Sequence, residues 1–276
     1  MTLRTDPVDL VARLRAAGCV FAEDEAQVLL AHAAEQALDC AALDALVRRR
    51  AAGEPLEHVV GHAVFCGLRV AVGPGVFVPR VRSALLAARA SELAADAVAR
   101  GGGTVVDLCC GSAALGLVVA TRVPGVDLHA ADVDPAAVAC ARANLAGVTS
   151  SVHAGDLDAA LPPALRGRVD VLVANVPYVP SDAVATMPAE ARVHEGRVAL
   201  DGGPDGLGVQ RRVAAVAAGW LAPGGAVLVE TSRAQAEPAA QAFEAHGLVA
   251  DVVSDDDLEA TVVVAVAPSP ARPRSG

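Results

Sequence analysis

Apolar positions recur at two different periods along the chain, and the change of period divides it. Over residues 6–50 they fall at helical spacing: Val8, Leu10, Val11 and Leu14 follow an Asp6-Pro7 start, and further patterns run from Glu23 to Ala37 and from Ala41 to Arg50, with Gly53 as a stop. His62 to Val72 then alternates loosely and runs into Gly73-Pro74-Gly75, which predicts a β-hairpin. A helix is predicted over 83–100, halted by Gly101-Gly102-Gly103. From Thr104 onward, short β-branched runs alternate with helical patterns. Strands are predicted at 104–108, 126–131, 150–153, 169–174, 226–230, 248–253 and 261–265, and helices at 113–122, 135–146, 206–221 and 234–245.

Strand-helix alternation of this kind implies a parallel sheet with helices on both faces. Only Ser254-Asp255-Asp256-Asp257 joins the last two strands, too little for a crossover helix, so they should pair antiparallel. The expected fold is therefore α/β, a doubly wound sheet of seven strands with the last antiparallel, preceded by a small N-terminal helical domain. Expected boundaries are 1–60 for the helical part, 61–82 for a hairpin linker, 83–267 for the alternating part, and 268–276 for a Pro- and Arg-rich disordered tail.

Composition narrows the classes. Apolar residues make up 54% of the chain and charged residues 20%, enough for a sizeable core. The net charge of −10 argues against general affinity for phosphate backbones, so no stable nucleic-acid binding is expected. There is no Lys and no Ile, a compositional bias with no functional reading. The cysteines Cys19, Cys40, Cys66, Cys109, Cys110 and Cys140 form no paired knuckles of the zinc type, so no metal is expected, and small buried thiols in a reducing compartment account for them. Cys109 and Cys110, as neighbours, are expected on opposite faces of a strand. The start MTLRTDPVDL lacks a signal-peptide pattern, and no apolar run reaches the roughly 18 residues a membrane span needs. The expectation is a soluble, cytoplasmic protein with no membrane partner.

Candidate chemistry gathers at strand ends. The run Val169-Asp170-Val171-Leu172-Val173-Ala174 stops at Asn175-Val176-Pro177-Tyr178. An amide oxygen, a backbone carbonyl and an aromatic ring at the carboxyl end of a buried strand make a cradle for a planar –NH2 group. Pro177 keeps this turn from folding back into a helix. An ordinary strand-to-loop turn is the plainer alternative. Tyr178 is the single Tyr of the chain. The first strand after the glycines ends in Asp107-Leu108-Cys109-Cys110-Gly111-Ser112-Ala113, where small residues let a ligand approach a helix start. This spacing does not fit the dinucleotide pattern, and no P-loop Lys is present. It fits the looser acid-x-G-x-G-x-G of methyltransferases, with Cys109 and Ala113 in two glycine slots. Asp132, ending the second strand, is placed to take ribose hydroxyls or to serve as a plain helix-start acid, and Asp134-Pro135 caps the next helix. Gly155-Asp156 either presents a carboxylate to an adenine amino group or makes a simple turn.

Together with Glu190-Ala191-Arg192-Val193-His194-Glu195, the stretch Ala199-Leu200-Asp201-Gly202-Gly203-Pro204-Asp205-Gly206-Leu207 and the earlier Gly75-Val76-Phe77-Val78-Pro79-Arg80, these segments resemble the release-factor glutamine N5-methyltransferases over about residues 8–266. Val176, Cys109 and Ala113 depart from the family pattern, as does Val81-Arg82-Ser83 after the Pro-Arg pair, which marks a divergent branch. The resemblance implies transfer of a methyl group from S-adenosyl-L-methionine to a glutamine side-chain amide of a protein, a peptide chain release factor. It implies Asn175, Val176, Pro177 and Tyr178 as the catalytic turn, and Asp107, Cys109, Gly111, Asp132, Gly155, Asp156 and Asn175 around the cofactor. His194 and Glu195 read as a structural pair or as an acid–base couple, and Arg192 and Arg197 as substrate contacts or solvated charges. A nucleic-acid amine methyltransferase and a non-catalytic binding protein of the same fold are the alternatives. The oligomeric state is open.

Overall fold

The computed structural model describes residues 7–269. The expected Asp6 cap and the tail from residue 270 lie outside the described residues. Four helices come first: α1 (Pro7–Ala16), α2 (Ala22–Glu35), α3 (Cys40–Ala51) and α4 (Leu56–Val60). The hairpin β1 (His62–Phe65) and β2 (Leu68–Ala71) leads through a 3-10 turn (Val81–Ser83) to α5 (Ala84–Ala99). The alternating part runs β3 (Thr104–Leu108), α6 (Ala114–Arg122), β4 (Asp127–Asp132), α7 (Pro135–Asn144), β5 (Ser150–Ala154) and β6 (Val169–Ala174). Two short helices, α8 (Ser181–Val184) and α9 (Ala189–His194), precede α10 (Gly208–Trp220), β7 (Leu221–Thr231), α11 (Ala236–Glu244), β8 (Val249–Asp255) and β9 (Ala260–Val266).

Seven strands form one sheet in the order β5-β4-β3-β6-β7-β9-β8, parallel except for β9, which pairs antiparallel with both β7 and β8. Alternate residues of each strand serve opposite faces. Val171 and Val173 of β6 pack with Leu86, Ala90 and Leu115 on one side, and Leu172 and Ala174 pack with Val213, Trp220 and Phe243 on the other. Continuous apolar runs are what a sheet covered on both faces requires. The acid inside the β6 run serves the backbone. Asp170 Oδ2 accepts the N–H groups of Gly103 at 2.7 Å and Thr104 at 2.9 Å, fastening the start of β3. Strand β7 begins five positions before the predicted Ala226, because Val169 pairs with Leu221 and a register shift then sets Val171 opposite Ala226.

The first four helices close on a core of their own built from Leu10, Leu14, Leu29, Leu43 and Val47. Arg50 is buried there, gripping Glu25 through Nε at 2.6 Å and Nη2 at 3.0 Å, and it reaches Glu190 of α9 at 3.5 Å. Asn144 binds the hairpin to the sheet, accepting the Ala71 N–H at 2.7 Å and donating to the carbonyls of Ala71 and Ser112. Among the described residues no helix is long and apolar enough to cross a membrane.

Candidate active site

Strand β3 lies between β4 and β6, so the chain winds outward from β3 in one direction and then returns to wind in the other. A crevice opens at such a switch point, outside the carboxyl ends of the strands. The ends of β3, β4 and β6 accordingly line one cavity, to which Cys109, Gly111, Asp132, Asp156, Asn175, Val176, Pro177 and Tyr178 all contribute. Asp107 and Gly155 are not among its lining residues. Asp107 is buried behind the turn, its Oδ2 accepting the Gly116 N–H at 2.8 Å and its Oδ1 without a partner, and burial pushes its carboxyl up to about 8. Gly155 donates its N–H to the Asp132 carbonyl at 2.9 Å and packs so closely on Ala160 that a Cβ would meet that residue's Cα at 3.1 Å.

The pair Cys109-Cys110 is not in a strand, as the sequence pattern suggested, because β3 ends at Leu108 and both cysteines belong to the turn. This turn takes the left-handed conformation at each glycine slot of the motif: φ is 55° at Cys109, 54° at Gly111 and 58° at Ala113. Side chains at two of these positions are tolerated against a cost of roughly 1–2 kcal/mol each because tertiary hydrogen bonds fix the loop. Cys110 N–H donates to the Ala131 carbonyl at 3.0 Å and Gly111 N–H to Asp132 Oδ2 at 2.8 Å, which stitches the turn to the end of β4. Asp132 Oδ1 accepts the Asp134 N–H at 2.9 Å, and Asp134 in turn caps α7 by accepting the Ala136 N–H. A Cβ added at Gly111 would meet nothing within 4 Å, so that side of the turn stands open. Burial and the neighbouring Asp132, Asp107 and Asp156 push the Cys109 thiol up to about 12, which favours the protonated form at neutral pH.

The second turn, at the end of β6, is held from both sides. Asn175 Nδ2 donates to Ser83 Oγ at 3.2 Å, which directs the side-chain oxygen the other way. Among the described residues neither Asn175 Oδ1 nor the Val176 carbonyl accepts a hydrogen bond, and both residues line the cavity. The Val176 side chain is 1% exposed and packs with the core beneath the sheet, which anchors the turn where the family pattern has proline. Tyr178 Oη donates to Glu230 Oε1 at 2.8 Å and accepts from Arg82 Nε at 3.0 Å, so the ring forms a wall while its hydroxyl is engaged. Burial and the Glu230 carboxylate hold the phenol above its ordinary pKa.

The glycine-rich stretch after α9 explains itself against this turn. A Cβ at Gly202 would meet the Pro177 carbonyl and the Tyr178 Cα at 2.8 Å, and one at Gly206, where φ is 76°, would collide with the Tyr178 carbonyl. Gln235 Nε2 holds that same carbonyl at 3.0 Å. Glu195 is buried, its Oε1 accepting from Arg80 Nη2 at 2.6 Å, and the His194 carbonyl accepts the Gly75 N–H, so this pair ties the 189–195 segment to the linker and is not an acid–base couple. Arg197 is paired with Asp201 at 2.9 Å. Sequence reading did not single out Ser83, Gln235 or Glu230 as parts of the site, and it treated Arg82 only as a departure. Glu230 alone carried a signal, since it ends an apolar strand with an acid as Asp107 and Asp132 do.

The residues present suit a ligand that combines cationic and diol groups: Asp132 and Asp156 line the cavity, the latter paired with Arg212 at 2.7 Å, Gly111 leaves one wall bare, and among the described residues the buried Asp107 Oδ1 has no partner. A doubly wound sheet with one reversed strand and this pair of strand-end turns defines an S-adenosylmethionine-dependent methyltransferase. The family described as methyltransferase small domain matches residues 67–212. A release factor glutamine methyltransferase of Mycolicibacterium smegmatis is 39% identical over 93% of this chain and 94% of its own length. A 4-amino-L-phenylalanine/4-methylamino-L-phenylalanine methyltransferase of Streptomyces pristinaespiralis is 37% identical over 73% of this chain and 69% of its own. Among solved structures, a methyltransferase from Pyrococcus furiosus shares the fold with a TM-score of 0.54 at 15% identity, over 74% of this chain and 91% of that one. The chain belongs to the release factor glutamine methyltransferase family.

Proposed function

We propose that the protein methylates the side-chain amide nitrogen of a glutamine in a peptide chain release factor. The observation that carries this is the pair of unpartnered acceptors, Asn175 Oδ1 and the Val176 carbonyl, at the lip of the cavity. An amide –NH2 offers two N–H donors in one plane, and two fixed oxygens can take both. S-adenosyl-L-methionine supplies an electrophilic methyl group on a sulfonium. The chain's own residues hold the nitrogen in line with it, which accounts for most of the acceleration. Positive charge grows on that nitrogen during transfer, and the two oxygens stabilise it without reorganising. The Tyr178 ring shields the amide from water. No general base is needed beforehand, because the N–H becomes acidic only after transfer; Glu195 and His194 are accordingly free for structural use. Gly111, Asp132 and Asp156 would hold the donor, with Cys109 shaping the turn and Asp107 and Gly155 supporting it from behind. The net charge of −10 supports a protein acceptor over nucleic acid.

The test is incubation with labelled S-adenosylmethionine and purified release factors, followed by mass spectrometry of the Gly-Gly-Gln peptide. A single added methyl on the glutamine amide is expected. Label appearing only on an amino-aryl amino acid, as the name of the Streptomyces pristinaespiralis relative would suggest, or only on nucleic acid, would replace the acceptor.

A further inference from the structure

Beyond Tyr178 a second, polar cleft opens, lined by Arg82, Thr231, Ser232, Arg233, Asp256 and Glu259 among others. Arg82 and Tyr178 line both this cleft and the main cavity, so the two meet at that pair. The Arg82 Nε–H is shared between Tyr178 Oη and Glu230 Oε1, each at 3.0 Å, and Glu230 is 1% exposed. Two such contacts orient the guanidinium plane in advance. They use one of its five N–H groups. Among the described residues the terminal Nη1 and Nη2 have no acceptor, and the side chain, 44% exposed, is open to the cleft. Thr231, 4% exposed, also has an Oγ1 without a partner. Donors held without acceptors at the junction of two clefts call for a ligand rich in acceptors. A free carboxylate is disfavoured, because Asp256 and Glu259 stand on the same rim and Arg233 is already paired with Asp256. Neutral carbonyl oxygens meet both conditions.

We propose that this cleft is the subsite for the main chain flanking the methyl-accepting residue, with Arg82 Nη1 and Nη2 donating to peptide carbonyls. The inference rests on the reading of a polypeptide acceptor given above. It makes Arg82 a determinant of substrate affinity outside the methyl-transfer step. The guanidinium stands over the Tyr178 ring, its Cζ 5.9 Å from the ring centre, so a side chain entering between Asn175 and Tyr178 brings its backbone past it.

Steady-state kinetics with release factor as substrate test it, alongside calorimetric titration of S-adenosylmethionine. Arg82→Gln is expected to raise KM for the release factor at least about tenfold, as loss of a charged hydrogen-bond donor would, with a smaller change in kcat and with cofactor affinity unchanged. Because Arg82→Gln leaves Glu230 without its cation, the double variant Arg82→Gln/Glu230→Gln is measured beside it, and a similar rise in KM is expected. Folded variants that all keep the wild-type KM overturn the subsite. Wild-type protein that fails to methylate any release factor removes the acceptor reading and the subsite together, whereas turnover with unchanged KM removes the subsite alone.

Discussion

The amide of Asn175 can present either its oxygen or its nitrogen to the cavity, and one neighbour decides which. Ser83 takes the Nδ2–H at 3.2 Å and so leaves Oδ1 as the free acceptor. Ser83→Ala is expected to cut turnover about tenfold, since removing one such orienting bond costs about 1 kcal/mol or more, while melting temperature stays within a few degrees and Ser83→Thr restores the rate. Unchanged turnover in the Ala variant would mean that the amide is oriented by something else. Asn175→Ala, which removes the acceptor itself, is expected to cut turnover at least ~100-fold and leave cofactor affinity within a few-fold. Asn175 was legible as a candidate in the sequence because it directly follows a buried strand, at the carboxyl edge where open α/β sheets bind their ligands. Ser83 was not, because it is 92 residues away in sequence and its role exists only once α5 packs beneath β6.

At the scale of elements, strands were legible wherever β-branched runs were bounded by glycine or an acid, and all seven of the large sheet fall close to their predicted places. The short helices α8 and α9 were not, because few local signals specify them. Pro180 and Pro188 precede them; Ser181 Oγ donating to Asp201 at 2.6 Å holds α8, and the Glu195–Arg80 contact with the pairing of Gly75 beside Glu195 holds the end of α9. The acid inside β6 was read as part of an apolar run, yet it makes two backbone contacts. Asp170→Ala is expected to destabilise the protein by about 1–3 kcal/mol, because two buried N–H groups lose their acceptor. Denaturant unfolding would show this as a lower midpoint at unchanged slope. Gly206→Ala is expected to act differently, pushing on the Tyr178 carbonyl and so lowering turnover far more than it lowers cofactor affinity. Wild-type turnover in the Gly206→Ala variant would show that the acceptor turn tolerates displacement.

For the molecule as a whole, the turn after β3 and the turn after β6 follow neighbouring strands of one sheet, and the buried Asp107 lies on β3. Its carboxyl sits at about 8 in the folded chain against an ordinary 3.8, because burial disfavours the charged form. A raised carboxyl stabilises the fold fully below 3.8 and loses that contribution as pH rises towards about 8. The melting temperature of Asp107→Asn relative to wild type is therefore expected to rise across that interval, and thermal melts at several pH values check it; a constant difference would contradict it. The helical segment with its separate core reaches α9 through the Arg50–Glu190 contact, an arrangement visible only in three dimensions. The most direct test of the central claim compares wild-type and Asn175→Ala protein, each given labelled cofactor and release factor, by mass spectrometry of the glutamine-bearing peptide. The account predicts a methyl on the glutamine amide with wild type and at least ~100-fold less with the variant, while both bind cofactor alike. Equal methylation by the two proteins would contradict it.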